Sequence, residues 1–244
     1  MRVLVAPDYR TLSQQAADFA AEAVRVKPDL TLGLPTGRTP LGMYAELVRK
    51  HREDGLGFSS VRTFNLDEYI GLSPEHPQSY HAYMRDHFFN HVNVPGPNID
   101  IPNGAPNIDS EAESARYEDA IRGAGGIDLL VVGVGTNGHI AFNEPGSSLT
   151  SRTRVVTLAP ETLANARQYF AIGVEVPQSA ITMGIGTILE ARRILLLASG
   201  HGKAEAVRRA LQGPVSESLP ASALQLHPDV TAILDKAAAP DFFG

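Results

Sequence analysis

Short apolar runs alternate with stretches of helical period along the whole chain, regularly enough to predict its elements. Arg2 to Ala6 and Leu30 to Leu34 read as strands, and the alanine-rich Ser13 to Val26 reads as the helix between them. After the turn Pro35-Thr36-Gly37, Pro40 opens a helix whose Leu41, Tyr44, Leu47 and Val48 recur on one face. A third strand ends near Phe64. Tyr80 to His91 reads as a helix with aromatic residues on its buried side, and Glu111 to Ile121 as a surface helix. Ile127 to Val132 is apolar without alternation, which predicts a central strand covered on both faces. Beyond it come an extended run from Arg154 to Leu158, a helical patch from Pro160 to Tyr169, a strand from Arg193 to Ala198, a helix from Lys203 to Leu211 and a short closing strand at Ala232 to Leu234. Strands that alternate with helices in this way predict an α/β fold: a doubly wound, mostly parallel, Rossmann-like sheet in three layers, with helices on both faces. With no repeat, low-complexity stretch or linker in view, one domain is expected over residues 1–244.

Composition narrows the function. A hydrophobic content of 43% is ample for a large core, and 21 Lys and Arg against 27 Asp and Glu give a net charge of −6. That balance offers no basic footprint for nucleic acid or an anionic membrane, so a small-molecule partner is expected. No window approaches the length of apolar sequence that spans a bilayer, and Met1 to Ala6 runs into Pro7-Asp8 without a signal-peptide core; the expected location is the cytoplasm. The absence of cysteine excludes disulfides, thiolate nucleophiles and thiolate metal sites, and the eight histidines form no His-Glu-x-x-His pattern.

In a doubly wound sheet, ligands bind beyond the carboxyl ends of the strands, so the residues after each strand are the candidates. Gly33-Leu34-Pro35-Thr36-Gly37-Arg38-Thr39-Pro40 reads equally as a phosphate cradle at a helix start and as an ordinary strand-to-helix turn. Asp67 and Glu68 follow the third strand; one of them could take a proton from carbon beside a carbonyl or imine, while both could equally be solvated or capping acids. Gly133 to Pro145 packs glycines around Asn137, His139 and Glu144, close enough for contact across one tight loop. Its Gly133-Val134-Gly135-Thr136-Asn137-Gly138 matches G-x-G-x-x-G formally, but Pro145 interrupts and Arg154 and Val155 stand on the next strand, so a nicotinamide cofactor is rejected. Lys203, at a helix start where a cation opposes the dipole, and Arg167 are candidate phosphate clamps or solvated surface charges.

Taken together, these segments resemble the glucosamine-6-phosphate deaminase family. The resemblance rests on Leu32 to Gly37, Phe64-Asn65-Leu66-Asp67-Glu68-Tyr69, His76-Pro77-Gln78-Ser79-Tyr80, Gly135 to Pro145, Arg152-Thr153-Arg154 and Leu224-Gln225-Leu226-His227-Pro228, and it covers nearly the whole chain. It implies conversion of glucosamine 6-phosphate and water into fructose 6-phosphate and ammonia, with no metal or organic cofactor. By the same resemblance Asp67 is the base that carries the proton from C2 to C1, and His139 moves protons during ring opening. Glu144 and Asn137 then hold the imidazole, Gly37, Arg38, Thr39, Arg167 and Lys203 bind phosphate, and the segment from about 151 to 176 acts as a helical lid.

Two departures from the family pattern stand out. Many relatives have Asp where this chain has Asn137, which places more of the charge support on Glu144 and affects the pH optimum rather than the reaction. An activating N-acetylglucosamine 6-phosphate site of some relatives uses serine, arginine and lysine; Ser147 and Arg154 match, but Val156 stands at the lysine position, and the chain ends soon after Pro240. No such activation is expected, and a monomer or small homo-oligomer is expected in place of a hexamer. The rivals are a 6-phosphogluconolactonase, for which the Asn137 to Pro145 block is superfluous, and a non-catalytic sugar-phosphate sensor, for which the chain lacks a basic DNA-binding segment.

Overall fold

The computed structural model describes residues 1–168, 170–171 and 174–239. In chain order the elements are β1 (Arg2–Ala6), α1 (Tyr9–Val26), β2 (Thr31–Leu34), α2 (Leu41–Glu53), β3 (Arg62–Asn65), β4 (Asp67–Tyr69), α3 (Tyr80–His87), β5 (Ile99–Asp100), α4 (Ser110–Gly123), β6 (Leu129–Gly133), β7 (Arg154–Thr157), α5 (Pro160–Arg167), β8 (Ser179–Thr182), α6 (Ile185–Leu189), β9 (Ile194–Ala198), α7 (Ala204–Gln212) and β10 (Val230–Asp235). Seven strands form a parallel sheet in the order β1-β10-β9-β6-β2-β3-β5. The doubly wound α/β arrangement expected from the alternation is the one observed.

The apolar runs explain the layers. Along β6, Leu129 and Val131 pack into one core with α1 and α2, while Leu130 and Val132 pack into the other with Tyr117 of α4 and Val207 of α7. Both faces of the strand are dry, so an unbroken apolar run is the favourable sequence and alternation is absent. β10 follows the same rule: it is longer than the expected Ala232 to Leu234, entirely buried, and lies between β1 and β9 rather than closing the sheet. Its polar Thr231 and Asp235 shortened the apparent run.

Other departures have local causes. The helix expected over Tyr80 to His91 stops at His87, because Phe88 leaves helical geometry (φ −143°, ψ −64°) to bury its ring against Tyr44 and Phe58. Tyr169, the expected end of the patch now seen as α5, and the tail from Pro240 lie outside the described residues. Of the second, antiparallel sheet, β4-β8-β7, only β7 was expected, as the extended run from Arg154 to Leu158; β4 and β8 had no counterpart. This sheet pairs Asp67 with Thr182 and Arg154 with Thr182 on the other side, contacts between segments distant in sequence.

The helix expected on the surface, α4, turns Glu113, Tyr117, Glu118 and Ile121 inward. Glu118 ties this sheet to the rest: its carboxylate accepts from the Thr153 N–H (2.9 Å), the Thr153 hydroxyl (2.5 Å), the Thr187 hydroxyl (2.6 Å) and the Arg152 guanidinium. Removing it leaves the Thr153 and Thr187 donors without this partner and Arg152 with Glu190 alone. Glu118→Ala is expected to cost about 3 kcal/mol, seen as a fall in Tm of roughly 10 °C; a fall below about 2 °C would mean the network contributes little.

Candidate active site

Where β2 and β6 lie side by side, the chain winds away in opposite directions, toward β3 and β5 from one and toward β9 and β10 from the other. Connections diverging at neighbouring strands leave a crevice at the carboxyl ends. Into it come the loop after β2, the start of β4, the loop after β6 and the loop after β9. They enclose a cavity of about 220 Å³ lined by Thr36 to Pro40, Asp67, Tyr80, Gly133 to Gly135, His139, Ala141, Phe142 and Lys203. It opens into a wider cleft of about 930 Å³ roofed by Thr162, Asn165, Ala166 and Gln168 of the α5 region.

Of the two adjacent acids, backbone direction selects one for the cavity. Asp67 lines it, whereas Glu68 points into α3, accepting from the Tyr69, Tyr80 and His81 N–H groups and facing His81 Nδ1 at 2.9 Å. Asp67 is 6% exposed. Burial, with the Glu68 charge adding to it, pushes its carboxyl up to about 8. Such a group both holds and releases a proton near neutrality.

On the other wall, the turn after β6 is closed by the Gly135 N–H donating to the His139 carbonyl at 2.8 Å. The His139 ring lies directly over Gly135, where a Cβ would stand 2.3 Å from the ring, so only glycine fits. Ala141 lines the cavity in the left-handed region at φ 50°, an uncommon conformation for a residue with a Cβ. His139 Nδ1 is buried and faces Glu144 Oε2 at 3.6 Å, an ion-pair separation longer than a hydrogen bond. Asn137 sits between them: its amide donates to the same Oε2 at 2.9 Å, and its carbonyl accepts the His139 N–H at 3.1 Å. Asn137 therefore orients Glu144 and the backbone rather than the imidazole itself. Partial burial alone would push the Glu144 carboxyl up, but the His139 imidazole, the Thr162 hydroxyl and the Asn137 amide pull it down to about 2.

The loop after β2 is braced by two tyrosines that the sequence pattern did not single out. Tyr83 donates to the Gly37 carbonyl at 2.6 Å, and the Tyr9 hydroxyl lies 3.1 Å from the Arg38 carbonyl and 3.2 Å from that of Thr39 while accepting the Gly42 N–H at 2.8 Å. Occupying these carbonyls keeps acceptor oxygens turned away from the cavity, which suits an anion. Gly37, at φ 98°, makes the turn. Arg38 and Lys203 share the cavity wall, and among the described residues neither forms an ion pair. Burial, followed by the Arg38 charge, lowers the Lys203 ammonium below its usual range, with Glu161 opposing.

Arg167 does not join this cluster. Thr162, Asn165 and Ala166 occupy the face of α5 turned to the cleft, and one residue further round the helix Arg167 points away, donating to the Val174 carbonyl beside Glu175 and Gln178. Conversely, Thr162, unremarkable in the sequence, donates to Glu144 Oε1 at 2.5 Å. Tyr80, whose ring stacks on Phe142 at 6.0 Å, likewise had no role assigned from the sequence, where it stood as a helix residue and the end of the His76 to Tyr80 block. Near the small sheet, Arg154 donates to Asn143 Oδ1 at 2.9 Å and reaches Ser147 Oγ at 3.3 Å, while Val156 packs into the aromatic cluster with Tyr69 and Phe170.

Comparison with known proteins places nearly the whole chain in one family. Residues 8–233 match the model of a family described as glucosamine-6-phosphate isomerases/6-phosphogluconolactonase. A protein of Thermoanaerobacter pseudethanolicus named glucosamine-6-phosphate deaminase is 49% identical over 239 residues, covering 98% of this chain and 94% of its own length. One of the same name from Bacillus velezensis is 52% identical over 240 residues, covering 98% and 99%. A solved structure described as a monomeric glucosamine-6-phosphate deaminase superimposes with a TM-score of 0.94 at 50% identity, covering 98% of both chains. Because that family model matches residues 8–233, nearly the whole chain, the protein belongs to the glucosamine-6-phosphate isomerase/6-phosphogluconolactonase family.

Proposed function

We propose that this protein is a glucosamine-6-phosphate deaminase, which turns glucosamine 6-phosphate and water into fructose 6-phosphate and ammonia. The observation that carries the reading is that Asp67, His139, Arg38 and Lys203 all line one cavity of hexose-phosphate scale. The phosphate lies against the Gly37 to Thr39 loop, with Arg38 and Lys203 supplying charge. His139 takes the C1 hydroxyl proton and returns it to the ring oxygen, opening the pyranose, while ionised Glu144 supports the transient imidazolium. Asp67, brought to its ionised form by the substrate ammonium, removes the C2 proton and delivers it to C1. The resulting ketose imine adds water and expels ammonia. α5 and the segment around it serve as the lid that keeps bulk water from the intermediate. A cytoplasmic activity is supported by the charge of the substrate, since sugar phosphates do not cross membranes unaided.

A lactonase needs an activated water but no proton carrier between adjacent carbons, and a sensor needs neither. Ammonia release from glucosamine 6-phosphate supports the deaminase; in its absence, hydrolysis of 6-phosphogluconolactone supports the lactonase, and binding with turnover of neither compound supports a sensor.

Asp67→Asn is expected to lower ammonia release by at least about 10³-fold, in line with loss of a general base. The same change should stabilise the fold. An unfolded chain ionises this carboxyl near the ordinary aspartate value of 3.8, whereas the folded one keeps its proton up to about 8, so the parent loses stability as pH rises between those values. The Tm advantage of Asp67→Asn should therefore widen between pH 5 and pH 8 by more than roughly 3 °C, or about 1 kcal/mol; a constant or negative difference would mean the carboxyl is not desolvated.

Arg154 is held by two neutral side chains, Val156 packs against the aromatic cluster, and the neighbouring Arg152 is paired with Glu118 and Glu190, so among the described residues of this segment no second cation stands ready for an activating sugar phosphate. The expected rate-against-substrate curve is hyperbolic and unchanged by N-acetylglucosamine 6-phosphate. A sigmoidal curve that this compound makes hyperbolic would contradict the reading.

A further inference from the structure

The carboxylate paired with the imidazole is shared between two parts of the molecule. Oε2 of Glu144 belongs to the loop after β6, accepting from Asn137 at 2.9 Å and facing His139 Nδ1 at 3.6 Å. Oε1 belongs to α5, accepting the Thr162 hydroxyl at 2.5 Å. One residue earlier, Glu161 accepts the Thr136 hydroxyl at 2.6 Å, so the first turn of α5 is fastened twice to the loop that carries His139. Thr162 is buried and lines the wider cleft rather than the inner cavity that holds Asp67.

A carboxylate with one oxygen held can rotate about its χ3 bond; one with both oxygens held cannot, and here the second hold comes from the cover. We infer that Thr162 is a positioning residue whose hydroxyl sets the plane of the Glu144 carboxylate against His139, making the orientation of the imidazole depend on α5 lying over the cleft. The inference deepens the deaminase reading and rests on it for the role of His139. Its chemical sense is timing: the imidazole is aligned for ring opening only once the cover is down, so the reactive open chain forms where bulk water is excluded. The hydroxyl donates to a carboxylate that is ionised throughout the working pH range, which makes the contact a charge-assisted one.

Two near-isosteric variants separate the hydroxyl from the packing. Thr162→Val keeps the branched shape and removes the donor; Thr162→Ser keeps the donor and removes a methyl group. For the valine variant kcat is expected to fall roughly 10- to 100-fold, the worth of a hydrogen bond to a charged group, with KM within about threefold of the parent. The serine variant should stay within about threefold in both constants. Because Thr162 acts through Glu144, adding Thr162→Val to Glu144→Gln should change kcat by less than about twofold. Thr162→Ala repeats the comparison should valine lower Tm. Parental kcat in both donor-free variants, or equal losses in serine and valine, would overturn the inference. Nitrogen-15 NMR of the His139 ring in ligand-free protein judges the contact without substrate: the Nδ1 resonance should match between parent and Thr162→Ser and shift in Thr162→Val. If the parent itself released no ammonia, the deaminase reading would fall while this spectrum still decided the fate of the Thr162 contact.

Discussion

Withdrawal of the Asp67 carboxyl from water is the constraint around which the crevice is organised. A buried carboxylate without a permanent cation is expensive to keep ionised, and the fold supplies Asp67 with a neighbouring negative group, Glu68, rather than a positive one. The cost is carried by the sheets that hold it. β4 is pinned through Thr182 to β8, and Glu68 is fixed by the amino end of α3. What the protein gains is a carboxyl group able to exchange a proton near neutral pH inside a cavity that also holds two cations for an anionic substrate.

The opposite wall follows the contrary strategy. Glu144 is surrounded by donors from Asn137, Thr162 and His139 and stays ionised to about pH 2, so it serves as a fixed charge rather than a carrier. Two carboxyl groups in one crevice, one pushed up and one pulled down, divide the work: one moves a proton, the other steadies the group that moves a different proton. Asn137 fits this division. As a neutral amide it adds a donor to Glu144 without adding a second negative charge beside the imidazole.

Much of this was legible in the residues because it depends on local chemistry. The alternation of apolar runs marks the parallel sheet, and a glycine-rich turn with Asn137, His139 and Glu144 marks the loop after β6, since short spacing forces those groups together. What escaped depends on distant contacts. The small sheet joins β4 to strands far along the chain, and three-residue β4 offers no periodicity to read. Thr162 acquires its partner only when α5 crosses the cleft, and Tyr9 and Tyr83 act as struts for a loop many residues away. Arg167 shows the converse limit: its charge suggested a clamp, yet a single step around α5 turns it from the cleft.

The account stands on proton transfer between adjacent carbons of one hexose inside this crevice, and isotope tracing reads that step directly. With glucosamine 6-phosphate deuterated at C2, the account predicts ammonia release together with fructose 6-phosphate carrying a measurable share of the deuterium at C1. Ammonia released while the deuterium stays on C2, or no turnover of this substrate, would contradict it.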